Sequence, residues 1–193
     1  MTLSEMLYGV LFQPVTTLRL ISKTKPLGRG LLVFIAVMSL NMIINRGINI
    51  GQPGQELLPV SGPMWWVFGC IGIIVSVLLL FMMAGTLSLL GEFIYHQGNG
   101  SGLFVGFLFA SLPGVLGPPL QYASVLIGVQ YLGTILALLA LLWVLILEVI
   151  AVREALQITT GEAAFLLILP VIAILLIGAG VVFIAVSLAT FSL

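Results

Sequence analysis

Few residues in this sequence are equipped for chemistry, and they fall in four places. Glu148 is a carboxylate inside an apolar run, about four residues from its polar end. Desolvation there would favour its protonated form. It serves proton-coupled transport, or it pairs with Arg153, Arg29 or a basic residue of the N-terminal segment, or it snorkels to the interface as a structural group. Glu92 and His96 stand four apart, on one helical face, and form either a pH-sensitive pair or a solvated helix end. Asn41, Asn45 and Asn49 repeat every four residues with Arg46 beside them. Such a stripe lines a polar path, with Arg46 touching an anion or lipid headgroup, or it is hydrogen-bonding glue between helices. The fourth place is Gly102, Gly106, Ala110 and Gly114, again at intervals of four, interrupted by Pro113. Small residues let a second backbone approach closely in lipid, and a proline break supplies a hinge.

None of these sets is a hydrolytic or redox centre. The sequence contains no HExxH, no GxSxG and no Walker A pattern, and it has no aspartate at all. One histidine and one cysteine cannot supply a familiar zinc site without carboxylates nearby. The glycine run from Gly98 to Gly102 lacks the preceding strand and the lysine of a phosphate loop. Cys70, in an apolar run, reads as a small core residue. The expectation is a protein that is not an enzyme and uses no cofactor and no metal.

The elements that must position these residues are membrane helices. Of 193 residues, 61% are hydrophobic and 6% charged, with mean hydropathy +1.32. A soluble domain carries about 25% charged residues, so an ordinary water-soluble fold is excluded. Zero net charge, with no basic cluster outside the N-terminal segment, argues against nucleic acid as a partner. The expected fold class is an all-α integral membrane protein with five transmembrane helices, the third and fifth proline-kinked, plus an N-terminal amphipathic interfacial helix.

Residues 1–28 carry that interfacial segment. Thr2 and Glu5 fit a capping box, and Leu3, Met6, Leu7, Val10 and Leu11 follow helical spacing until Pro14. Spans are expected at about 31–48, 64–90, 103–117, 131–152 and 163–190, all within one domain covering 29–193. Trp65 and Trp66 suit an interfacial belt. Pro118 and Pro119 are read as the end of the third span, with residues up to 128 either extending it or lying in the interface. Arg153 and Glu154 are read as surface residues after the fourth span. Thr159 and Glu162 form a second capping box opening the fifth, which Pro170 kinks. Gly178 to Gly180 gives that span a small-residue contact surface. With the N-terminus inside, five of the six Lys and Arg residues are cytoplasmic and Arg46 alone lies outside, so the expected topology in the cell membrane is N-in, C-out.

From Glu92 onward the order of features resembles a known family. The turn Gly98, Gly100, Gly102 leads into Phe104–Phe109 and Ala110-Ser111-Leu112-Pro113. Then come Trp143–Leu147, the stretch Ala151 to Thr159, and a span through Ala163–Pro170. This order is similar to the Yip-domain family of Ypt/Rab-interacting membrane proteins. Leu11-Phe12-Gln13-Pro14 ahead of a basic linker is similar to its short prokaryotic members. The resemblance implies five membrane helices, a cytosolic N-terminus and no known catalytic centre. Eukaryotic members are associated with Rab-type GTPases through longer cytosolic regions. Here only about 28 residues precede the first span, so a small GTPase is not the expected partner. The expected partners are the lipid bilayer and other membrane proteins or further copies of this chain. The function expected is association in membrane organisation or trafficking, against the alternative of a small transporter, channel or lipid-moving protein working near Asn45, Arg46 and Glu148.

Overall fold

Local chemistry sets the helix boundaries. The backbone N–H of Glu5 donates to Thr2 Oγ1, and the Thr2 N–H donates to Glu5 Oε2 at 2.8 Å. That reciprocal cap starts α1, Leu3–Phe12. Pro14 opens α2, Pro14–Thr24, in a first turn where its missing N–H leaves no bond unmade. Lys25 then closes α2 in the left-handed conformation at φ 49°.

The computed structural model describes residues 1–50 and 62–191. After α2 come α3 (Leu27–Ile50), α4 (Gly62–Tyr95), α5 (Gly100–Ala110), a 3-10 turn (Leu112–Leu116), α6 (Gly117–Ile127), α7 (Gln130–Leu156) and α8 (Thr160–Phe191). No strand occurs among the described residues. Five stretches are long and apolar enough to cross a membrane: Leu27–Arg46, Met64–Tyr95, Gly100–Ile127, Tyr131–Leu156 and Thr160–Gly180. The chain is an all-helical, multi-pass membrane protein.

The third crossing is compound. At about 1.5 Å per residue, α5 alone falls well short of a hydrocarbon core about 30 Å thick. The 3-10 turn at Pro113 redirects the chain and α6 completes the passage to Ile127. Pro118 and Pro119, expected to end this span, instead occupy the first turn of α6, where proline is at home.

The core is organised around α5. Every residue from Gly102 to Ala110 is buried. α2, α3, α4 and α7 all pack against it, while α6 runs along α7 and α8 lies on α7 and α4. Much of the apolar face of the N-terminal segment is used on the protein itself. Met6, Val10, Leu18 and Ile21 are buried, with α2 seated on α5 and α7. Gly9 lies directly against Thr17, where a side chain has no room, so α1 and α2 pack closely. Met1, Tyr8, Phe12, Leu20 and Leu27 remain exposed and are apolar groups this segment can offer to an interface.

Candidate functional site

The last two turns of α7 carry a buried charge. Leu147, Ala151 and Glu154 follow one another at helical spacing, and all three face inward. Glu154 is 4% exposed, so it needs partners, because an unpaired carboxylate in that position is costly. It has two. Arg19 Nε donates to Oε2 at 2.6 Å from α2, across 135 positions of sequence. Arg153 donates to Oε1 through Nε at 2.9 Å and Nη2 at 2.6 Å. The hydrogen bond to Glu154 holds the Arg19 guanidinium above the ordinary arginine range.

The same node reaches further elements. Arg153 Nη1 donates to Thr160 Oγ1 at 3.2 Å, which brings in the start of α8. Gln157, left-handed at φ 57° where α7 ends, donates from Nε2 to the Glu154 carbonyl at 2.6 Å. Asn99 caps α5 by accepting from the Gly102 N–H at 3.2 Å, and its Nδ2 donates to the Ala155 carbonyl at 3.2 Å. Thr159 and Glu162 close the α8 cap, with the Thr159 N–H donating to Oε2 at 2.7 Å. Above the pair lies an open hollow of about 510 Å³ walled by Arg19, Arg153, Glu154, Gln157, Thr159 and Thr160. Guanidinium and hydroxyl donors of this kind hold charge and bind anions.

This placement corrects the surface reading of Arg153 and Glu154. Arg153 is partly covered and Glu154 is buried. The helical spacing from Leu147 and Ala151 was the available signal for that burial. Nothing in the sequence linked Glu154 to Arg19.

Glu148 is half-buried on α7, and among the described residues it has neither ion pair nor hydrogen bond. The basic residues named as its partners are engaged elsewhere: Arg153 on Glu154, and Arg29 Nη1 on the Met1 carbonyl at 2.9 Å. Glu92 and His96 are both exposed and line a separate hollow of about 450 Å³ with Leu89 and Phe93. His96 lies just past α4 at φ 57°. Among the described residues these two form no ion pair.

The asparagines do not act as one stripe. Asn41 Nδ2 donates to the Gly114 carbonyl at 3.2 Å, tying α3 to the break in the third crossing. Its Oδ1 is buried and, among the described residues, accepts no hydrogen bond. Asn45 is exposed. Arg46 stacks over the Trp65 ring at 4.5 Å, a cation–π contact between α3 and α4. Asn49 lies in α3, but its side chain is outside the described residues.

The small residues also divide. A Cβ on Gly106 would stand 3.1 Å from the Ala151 Cβ, so α5 and α7 approach closely there. Gly102 lies against its own cap, Asn99. Ala110 ends α5 and is fully buried. Pro113 and Gly114 belong to the 3-10 turn, where a Cβ on Gly114 would meet Val144 Cγ2 at 3.7 Å. The interval of four therefore joins two segments of different pitch.

No curated protein and no solved structure matches this chain. The chain combines five candidate crossings, a proline-broken third one, and a polar clasp joining the N-terminal segment to the end of the fourth. A family model described as the Yip1 domain matches residues 8–182, from the first helix into the last, and the chain belongs to the Yip1-domain family.

Proposed function

We propose that this protein is a non-enzymatic membrane component that works by lateral association with other membrane proteins, with further copies of itself, or with lipids, in membrane organisation or trafficking. The observation that carries the reading is the state of α4. Only 6% of its most apolar window is buried within the chain. Among the described residues, Gly72 and Gly85 on α4, and Gly178 and Gly180 on α8, have nothing within 4 Å of where a Cβ would stand. Small residues on apolar helices support close helix–helix approach in lipid. The reading takes residues 1–28 as a cytoplasmic segment on a five-helix domain over 29–193, with the C-terminus outside the cell membrane. The charge distribution supports that orientation.

Native mass spectrometry on protein extracted gently from its own membrane tests this. A discrete oligomer, a second protein or a retained lipid is the expected result. A bare monomer contradicts it. The transport alternative draws on one observation, the unpartnered Asn41 Oδ1 beside the broken helix. Under association, Glu148→Gln folds and works nearly as the parent does. A proton-dependent flux that this variant abolishes would move the assignment to transport.

A further inference from the structure

The association reading leaves open what the hollow above Glu154 receives, and its geometry points to the phosphate of an anionic phospholipid headgroup, held between Arg19, Arg153 and the start of α8. This inference rests on the lipid arm of the proposed function and gives it a place and a chemistry.

Two guanidiniums share one buried carboxylate, so the clasp retains one positive charge. Arg19 reaches Glu154 through Nε alone, and among the described residues its Nη1 and Nη2 make no hydrogen bond. Its side chain is 53% exposed, so those donors are open to the hollow. A planar guanidinium whose Nη1–Nη2 edge is free suits a phosphate's paired oxygens. Glu162 stays ionised in the cap at Thr159 N and Oγ1 and sets a carboxylate beside that wall of the hollow, so binding rests on the open Arg19 donors rather than on a net positive charge. The Thr160 hydroxyl, already an acceptor from Arg153, keeps its own hydrogen to donate.

A lipid source is favoured over free phosphate by what lies beside the hollow. Ile168, Val171 and Leu175 continue the face of α8 that begins at Thr160, and all are more than half exposed. A headgroup in the hollow would therefore have an apolar helix face for its acyl chains. Leu20, exposed on the turn of α2 after Arg19, adds apolar surface beside it. Inorganic phosphate would use none of this.

The test is a titration of the full-length protein, purified in a neutral detergent, with short-chain phosphatidylglycerol, short-chain phosphatidylcholine and inorganic phosphate, read by native mass spectrometry. Phosphatidylglycerol should be retained in preference to phosphatidylcholine. Arg19→Gln should weaken that retention by about tenfold or more, the loss of one charge-assisted contact, and Arg19→Lys should restore part of it. Gln157→Glu is a second variant that sets a negative charge in the hollow without removing either arginine, and it should weaken phosphatidylglycerol as well. Both variants must elute as the parent does in size-exclusion chromatography. Equal retention of the two lipids, or indifference to both variants, overturns the headgroup site while leaving lateral association standing. Inorganic phosphate competing at concentrations similar to the lipid overturns the lipid assignment. Absence of any bound lipid or protein counts against the association reading as a whole.

Discussion

The second and third crossings make an instructive pair. Met64–Tyr95 has mean hydropathy 2.8 and is 6% buried over its most apolar window, whereas Gly100–Ile127 has mean hydropathy 1.7 and is 50% buried. In water the more apolar helix would be the inner one. Here the order is reversed. Lipid solvates leucine as well as a protein interior does, so apolarity gives no drive inward, and close packing decides which helix is central. α5 wins the centre because Gly106 lets α7 in and because Leu103, Val105, Phe107, Leu108 and Phe109 fill the space around it. α4 keeps Leu78, Leu79 and Met82 turned outward.

Glycine replacement should separate the two helices most sharply. Gly106→Leu drives a branched side chain into Ala151 and should cost about 3 kcal/mol, or prevent folding. A Cβ at Gly85 on α4 would meet nothing within 4 Å, so Gly85→Leu should stay within about 0.5 kcal/mol. Thermal unfolding of both proteins in one detergent compares them. A parent-like Gly106→Leu would remove the organising role given to α5.

Leucine truncation sharpens the same contrast. Leu108 is fully buried and Leu79 is 60% exposed. Leu108→Ala should lose about 2–4 kcal/mol through the cavity it leaves, and Leu79→Ala should lose less than about 0.5 kcal/mol. Equal losses in a denaturant titration would mean that α4 is packed against something in the purified protein.

The polar clasp should rank third. Glu154→Ala releases two arginines that are already partly hydrated, so the expected cost is about 1–3 kcal/mol, less than for a pair fully sealed from water. Proteolysis of the N-terminal segment should speed up in this variant, because α2 loses its tie to α7. An unchanged cleavage rate would show that packing at Leu18 and Ile21 holds α2 without the ion pair.

Asn41→Leu should have the smallest effect of this set. Hydrogen bonds between membrane helices average about 0.6 kcal/mol, and the substitution also removes the unpartnered Oδ1. A loss several times larger, measured in the same titration, would make the kink at Gly114 dependent on this one contact.

What could be read from the sequence was local. The caps at Thr2 and Thr159 are written in residues three apart, and both are present. Apolar runs of about 20 residues mark crossings by length alone. The break at Pro113 was also visible. The misreadings came from pairings across the bundle. Pro118 and Pro119 look like a stop, yet proline closes one helix and opens the next equally well, and only the path of α6 along α7 decides. Glu148 drew attention because it stands alone in an apolar run, whereas the carboxylate with partners is Glu154, one of which arrives from α2. The asparagine stripe assumed that every position on one face meets one neighbour, but α3 meets the 3-10 turn at Asn41 and leaves Asn45 exposed.

The most direct test of α5 as the inner helix is a disulfide trap in native membranes. Gly106→Cys and Ala151→Cys are combined in a Cys70→Ala background and oxidised mildly. The close approach of the two positions, 3.1 Å from a Cβ at residue 106 to Ala151 Cβ, predicts a rapid crosslink within one chain. Thiols that stay free, or that link two chains instead, would contradict the placement of α5 against α7 and with it the inside-out ordering of the crossings.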